Sequence, residues 1–282
     1  KYMQKVGYEC RIMGIPKTID NDLNGTDHCP GFASAAKYIA TSCAEVWQDA
    51  HVYDTGMVTV IEIMGRHAGW LAGSAALASL TGCGPDLVYL PETDFDMERF
   101  LADVKAVYDQ NGNCLVAVSE GIHYSDGTFV SEAKTSATDG FGHAQLGGLA
   151  SMLAETVKQK LGAKVRGIEL SLLQRCAAHC ASKTDIEESF AAGKAAVEYA
   201  VAGTTDKMVG FERTSENGAY KCNIKLFDLT VVANTEKKVP AEWLNATKDG
   251  LNEKFVEYAL PLIQGETDLC KEDGLPRFVK LK

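Results

Sequence analysis

Short apolar runs rich in β-branched residues recur along the chain, each followed by a turn signal and then by apolar positions at helical spacing. Residues 58–63, Val-Thr-Val-Ile-Glu-Ile, lead through Gly65 into the alanine-rich stretch 71–80, which predicts strand, turn and helix. The unit repeats. Residues 86–90 read as a strand ending at Pro91, 97–108 as a helix, 114–118 as a strand, 144–161 as a helix, 165–170 as a strand and 185–201 as a helix. Ahead of these lie residues 2–6, which read as the inside of a helix, and an apolar run, 12–15, that Pro16 helps to end as a strand. Strands alternating with helices of this length predict an α/β fold with mainly parallel sheets covered on both faces.

The tail has a different pattern. Residues 208–213 and 220–227 flank Ser215-Glu216-Asn217-Gly218, and Asn-Gly favours the tight turn of an antiparallel hairpin. Residues 243–263 predict a final helix, bent or broken at Gly250 and Pro261. No internal repeat or low-complexity linker marks a domain boundary.

Composition narrows the class without naming it. With 282 residues, 46% of them hydrophobic, the chain can bury a substantial core and divide into two lobes. No apolar run approaches the roughly 18 residues that span a bilayer, and the front has no signal-peptide pattern. A net charge of −10 disfavours nonspecific nucleic-acid binding, and obliges an acidic protein that handles phosphate to gather its cations locally. Nine scattered cysteines with no CxxC pair argue against a disulfide framework and for a reducing cytoplasm.

The densest candidate chemistry is Pro16-Lys17-Thr18-Ile19-Asp20-Asn21-Asp22, which sets a cation, a hydroxyl and two carboxylates just past a predicted strand. Polar groups at the carboxyl ends of parallel strands lie in the crevice where ligands bind. A carboxylate there suits a general base or a metal ligand, and it suits equally the capping of a turn or helix. Met64-Gly65-Arg66 offers a glycine for close backbone approach and an arginine fork for phosphate oxygens, although a plain strand-to-helix turn has the same composition. Glu120 follows the strand 114–119 and precedes Gly121.

Taken together these stretches resemble the phosphofructokinase family. Its signature Thr-Ile-Asp-Asn-Asp stands unchanged at 18–22, and Met64-Gly65-Arg66, Glu120, Arg166 and Arg175 follow in the family's order. The resemblance covers residues 6–235, and five ordered matches are far more specific than one. It implies a phosphofructokinase-type fold of two Rossmann-like αβα lobes: residues 1–31 and 175–235 in a donor lobe that is incomplete, 32–174 in a sugar-phosphate lobe, and 236–282 as a helical extension. The family's glycine-rich loop and Gly-Gly-Asp motif are absent from these residues, so the expectation is the later part of a longer enzyme.

The resemblance also implies roles. Asp20 becomes the base that takes the proton from the 1-hydroxyl of fructose 6-phosphate, with Thr18 beside it. Asp22 supports Mg²⁺ or the Asp20 geometry. Met64 and Gly65 meet the sugar phosphate, Arg66 the transferred phosphoryl, and Glu120 the fructose hydroxyls. Arg166 and Arg175 bind the 6-phosphate, Arg166 from a neighbouring subunit, which implies a homodimer or homotetramer. Lys17 occupies a position where ATP-using members carry glycine and pyrophosphate-using members carry lysine; it fills the room ATP needs and brings charge to pyrophosphate.

The chain departs from the pattern at Leu172, where the family has a histidine, at Cys176-Ala177, where it has a glycine pair, and at Met57, where it has an arginine from a neighbour. Cys176, His179 and Cys180 supply too few ligands for structural zinc. His67 and His143 lie near glycines and receive no role. The expected function is reversible transfer from pyrophosphate to fructose 6-phosphate with Mg²⁺; the alternatives are an ATP-dependent kinase and a noncatalytic sugar-phosphate-binding subunit.

Overall fold

The computed structural model describes residues 2–52, 54–131, 148–215, 218–233 and 235–280. A short helix α1 (Tyr2–Lys5) precedes strand β1 (Met13–Gly14). The expected strand 12–15 thus shrinks to two residues at a sheet edge, with Ile12 and Ile15 left 44% and 45% exposed on either side. Helix α2 (Phe32–Ala50) follows, in a region where the hydrophobic pattern set no expectation.

The central unit then matches the alternation read from the sequence. Strand β2 (Val58–Ile63) leads into α3 (Trp70–Ser74), which tightens into a 3₁₀ helix at Ala75–Thr81. Strand β3 (Leu87–Tyr89) leads to α4 (Met97–Asn111), which Asp96 caps by accepting the Arg99 N–H at 2.7 Å. Strand β4 (Cys114–Ser119) is followed by α5 (Leu149–Leu161); residues 144–147 of the expected helix lie outside the described residues, as does His143. Strand β5 (Val165–Glu169) completes a four-stranded parallel sheet of order β3-β4-β2-β5.

Both faces of this sheet are covered. Ile61, Ile63, Leu115 and Ala117 pack towards α2 and α3, whereas Val58, Val60, Val116 and Val118 pack towards α4 and α5. Those strands are fully buried because each face has its own helical layer.

Helix α6 (Lys183–Val201) backs a second, three-stranded sheet. In it β6 (Lys207–Arg213) pairs in parallel with β1 and antiparallel with β7 (Cys222–Asp228), as the hairpin pattern predicted; Glu216 and Asn217 of the turn lie outside the described residues. The tail corrects the expected helix over 243–263. Ala241–Trp243 form a 3₁₀ turn, Leu244 and Leu251 bridge, and only Glu253–Ala259 is helical, following the short α7 (Leu229–Val232) as α8. Asn245 accepts the Asp249 N–H at 3.1 Å and donates to the Asp249 carboxylate at 2.8 Å. This local turn chemistry wins over helical spacing. Lys271–Glu272 and Leu275–Pro276 then form a small two-stranded ribbon, so residues 236–280 are not a helical extension.

Among the described residues no helix is long and apolar enough to cross a membrane, and all nine cysteines are free.

Candidate active site

The loop after β1 is built around Asn21. This residue is fully buried with φ 59°, a left-handed conformation that asparagine tolerates better than most residues. Its Oδ1 accepts the Cys29 N–H at 2.9 Å, and its Nδ2 donates to the Tyr258 hydroxyl at 2.8 Å. Tyr258 in turn donates to the Asp27 carbonyl at 2.7 Å. Anchoring Asn21 inward leaves its neighbours Asp20 and Asp22 partly exposed. Thr18 fixes the turn before them, its hydroxyl accepting the Asp20 N–H and donating to Asp20 Oδ2, both at 3.1 Å.

Two further loops leave the carboxyl ends of β2 and β4. Met64 donates its N–H to Gln174 Oε1 at 3.1 Å, and Gly65 donates its own to Glu120 Oε1 at 3.2 Å. Gly65 has φ 134°, and a Cβ there would lie 2.7 Å from the Ala68 carbonyl oxygen, so the turn demands glycine. The Ser119 hydroxyl donates to the Gly65 carbonyl, tying the second loop to the third.

Charge couples all three loops. Burial pushes the Glu120 carboxyl up, and the charge of Asp20 pushes it further, while the Gly65 N–H and Arg66 partly offset both. Burial likewise raises Asp22, helped by the like charges of Asp20 and Glu236. The charge of Asp20 thus acts on both Glu120 and Asp22. Glu62, Met64, Glu120, Glu169, Leu172 and Gln174 line an adjoining cavity of about 180 Å³. In it burial raises Glu62 to about 7, despite the Ala150 N–H that donates to it at 2.9 Å.

The structure therefore gathers Thr18, Asp20, Asp22, Met64, Gly65, Arg66 and Glu120, and sets the other expected residues elsewhere. Lys17 is exposed beside this group, without a hydrogen bond or ion pair among the described residues. Arg175 lines a separate cavity of about 420 Å³ with Ile19, Gly31, Ser34 and Asp185, meeting the Glu120 cavity only through Gln174. Arg166 sits opposite Thr59, well back from the carboxyl end of the sheet, and lies 3.7 Å from Asp49 on the surface. It is not part of this chain's own cluster. Met57 is buried at the opposite end of β2 from Met64, whereas Leu172 does reach the cavity wall where the resemblance expects a histidine. His67 is exposed and faces the Phe129 ring.

Other residues of the site went unread in the sequence. Gln174 is buried and holds Met64; Glu92 accepts the N–H groups of both Gly69 and Val239 at 2.9 Å. Lys237 is partly buried against the Trp70 ring, and burial lowers its amine to about 8. None of these carries a local signal, since each acts across long sequence separations.

Beside the loop, His28, Glu188 and Cys222 bring a nitrogen, an oxygen and a sulfur within 4.8 Å of one another. Both ring nitrogens of His28 are already engaged at 2.8 Å, one by Asp27 and one by Glu188. Two carboxylate partners require two N–H donors, so the ring is an imidazolium clamp rather than a metal ligand. Cys176, His179 and Cys180 contact Leu172, Tyr38 and Thr41 and form no metal-binding group among the described residues.

Comparison with known proteins places the sequence and the fold in one family. The family model for phosphofructokinase matches residues 1–199. A pyrophosphate–fructose 6-phosphate 1-phosphotransferase of Xanthomonas campestris pv. campestris (strain B100) is 49% identical over 283 residues, covering 98% of this chain and 66% of that protein. A protein of the same description from Halomonas elongata is 44% identical, covering 99% and 66%. The crystal structure of a pyrophosphate-dependent phosphofructokinase from Marinobacter aquaeolei superposes with a TM-score of 0.88 at 39% identity, covering 100% of this chain and 67% of that one. The chain thus spans about two thirds of the length of the relatives it matches. On its sequence, its α/β architecture and the loops gathered at its strand ends, the chain belongs to the phosphofructokinase family.

Proposed function

We propose that the full-length protein transfers a phosphoryl group from pyrophosphate to the 1-hydroxyl of fructose 6-phosphate, giving fructose 1,6-bisphosphate and phosphate. The observation that carries this reading is that Glu120 accepts the Gly65 N–H beside Arg66, joining the loops after the adjacent strands β2 and β4, and feels the charge of Asp20 on the loop after β1. Phosphoryl transfer needs little covalent help from a protein; it needs a base, a sugar site and cations held in register.

In this account Asp20 accepts the 1-hydroxyl proton as the oxygen attacks the terminal phosphorus, and Thr18 holds the carboxylate in place. Arg66 neutralises charge on the phosphoryl in flight. Met64, Gly65 and Glu120 position the sugar, and Arg175 with Arg166 of a second subunit takes the 6-phosphate in a homodimer or homotetramer. Lys17, exposed in front of Asp20, takes the pyrophosphate oxygens and crowds a nucleoside. The division into donor and sugar-phosphate lobes, at residues 1–31 and 175–235 against 32–174, is supported by the separate three- and four-stranded sheets.

The carboxylates around Asp22 fit Mg²⁺, a hard cation that takes oxygen ligands and relieves the mutual repulsion of Asp20, Asp22 and Glu236. Asp22, with Glu236 beside it, would hold the ion. When bound it neutralises the phosphate oxygens. A reducing cytoplasm suits nine free cysteines.

The reading is tested by a coupled assay with fructose 6-phosphate and Mg²⁺, offering pyrophosphate and ATP separately. Turnover with pyrophosphate alone is the expected result. Turnover with ATP alone overturns the donor assignment, and turnover with neither overturns the assigned reaction.

A further inference from the structure

Lys237 lies beyond the residues that the family model matches, yet it touches both halves of the candidate site. Its ammonium donates to the Asp27 carbonyl at 2.6 Å and the Thr26 carbonyl at 3.2 Å, and lies 3.5 Å from Asn21 Oδ1. Its backbone N–H donates to the Asp22 carbonyl at 2.7 Å. On the other side, its own carbonyl accepts the Trp70 indole N–H at 2.7 Å, and its ammonium sits 4.9 Å from the centre of the Trp70 ring. Trp70 opens α3, the helix that follows the Met64-Gly65-Arg66 turn.

These contacts, counting those of its backbone, are more than satisfying one partly buried ammonium requires. Three N–H donors meet three acceptors on one loop, while the peptide groups on either side of the Cα bridge to Asp22 and to Trp70. The loop it grips contains Asn21, held in a left-handed conformation that persists only where its surroundings over-determine it. We infer that Lys237 is a positioning residue, which locks the loop bearing Asp20 and Asp22 against the helix that follows Arg66 and so sets the distance between base and phosphoryl-binding arginine. Its contacts are all with the protein's own loop and ring.

The inference rests on the proposed phosphotransfer, so its test has one readout that needs no activity. In the full-length protein, Lys237→Met and Lys237→Arg are compared with wild type by amide hydrogen exchange and by steady-state kinetics. In Lys237→Met, exchange should rise in residues 18–28 and stay unchanged in β4. At temperatures where the variant is fully folded, kcat should fall about 100-fold with the fructose 6-phosphate KM changed less than about threefold, since roughly 1 Å of misplacement costs that much. Lys237→Arg, which keeps the charge and the donors, should recover at least a tenth of wild-type kcat. Should Lys237→Met fail to fold, Trp70→Phe removes one side of the bridge and should raise exchange in the same loop. Unchanged exchange in 18–28 overturns the inference whether or not the wild type turns over pyrophosphate. Raised exchange with an inactive wild type keeps the positioning role and rejects only the assigned reaction.

Discussion

Gly121 lies directly beneath Arg66: a Cβ on Gly121 would come within 1.9 Å of the Arg66 carbonyl oxygen and 2.6 Å of that of Gly65. The obstacle is backbone, which cannot swing aside as a side chain can. The loop after β4 therefore sets the height of the loop after β2.

Gly121→Ala should consequently lift the Gly65–Arg66 turn without touching a ligand. Overpacking of this kind costs about 1–3 kcal/mol of stability, and a shift of the turn by about 1 Å should cost on the order of 100-fold in kcat. Urea unfolding and steady-state kinetics on the same preparation separate the two effects. A variant with wild-type kcat would mean that the turn's height does not matter.

Asn21 illustrates what was legible in the sequence and what was not. The motif Thr18 to Asp22 stood out because strong polar groups follow an apolar strand, whereas Met64-Gly65-Arg66 and Glu120 gained weight only from the family resemblance. What the motif did not disclose is that its central asparagine is structural. Tyr258, 237 positions away, and Lys237 hold it, and no local spacing encodes such partners. Helix α2 went unread for a related reason. Its start, Gly31, has no side-chain cap, and the carboxylate of Asp185 on α6 accepts the N–H groups of Gly31 at 2.8 Å and Ser34 at 3.1 Å instead. Conversely α4, with its own cap at Asp96 and a left-handed Gly112 after its end, was plain.

Asn21→Ala removes the acceptor for Cys29 and the donor for Tyr258 inside a buried site. Leaving those partners unsatisfied should cost about 1–3 kcal/mol, more than a surface substitution would. Chemical denaturation measures it. A loss under about 0.5 kcal/mol would show that the network does not hold the loop.

The clamp at His28 predicts a pH dependence. Burial alone would lower the imidazole, but hydrogen bonds to Asp27 and Glu188 raise it above its ordinary value of 6.5. Burial pushes Asp27 up, yet the His28 hydrogen bond and Arg213 hold it below 3.8. The histidine's contribution is therefore complete below 6.5 and fades as pH rises through the raised value; the aspartate's is complete above 3.8 and fades as pH falls through the lowered one. The stability difference between wild type and His28→Gln should be greatest from about pH 4 to 6.5 and shrink on either side. A difference that grows above pH 6.5 would contradict an imidazolium.

Lys17 bears on the donor. Its side chain is exposed next to the Asp20 turn, so replacing it should leave the fold intact. Lys17→Gly should reduce kcat/KM for pyrophosphate by about tenfold or more, the equivalent of one lost charge-assisted contact of roughly 1.5–3 kcal/mol. Equal turnover of pyrophosphate by variant and wild type would remove Lys17 from the donor site.

The most direct test of the account is the kcat of Asp20→Asn with fructose 6-phosphate, pyrophosphate and Mg²⁺. The amide is nearly isosteric and can keep the contact with Thr18, but it cannot accept the proton of the 1-hydroxyl. The account predicts a fall of about 10²–10⁴-fold with the thermal unfolding midpoint preserved. A kcat within a few-fold of wild type would show that Asp20 is not the base.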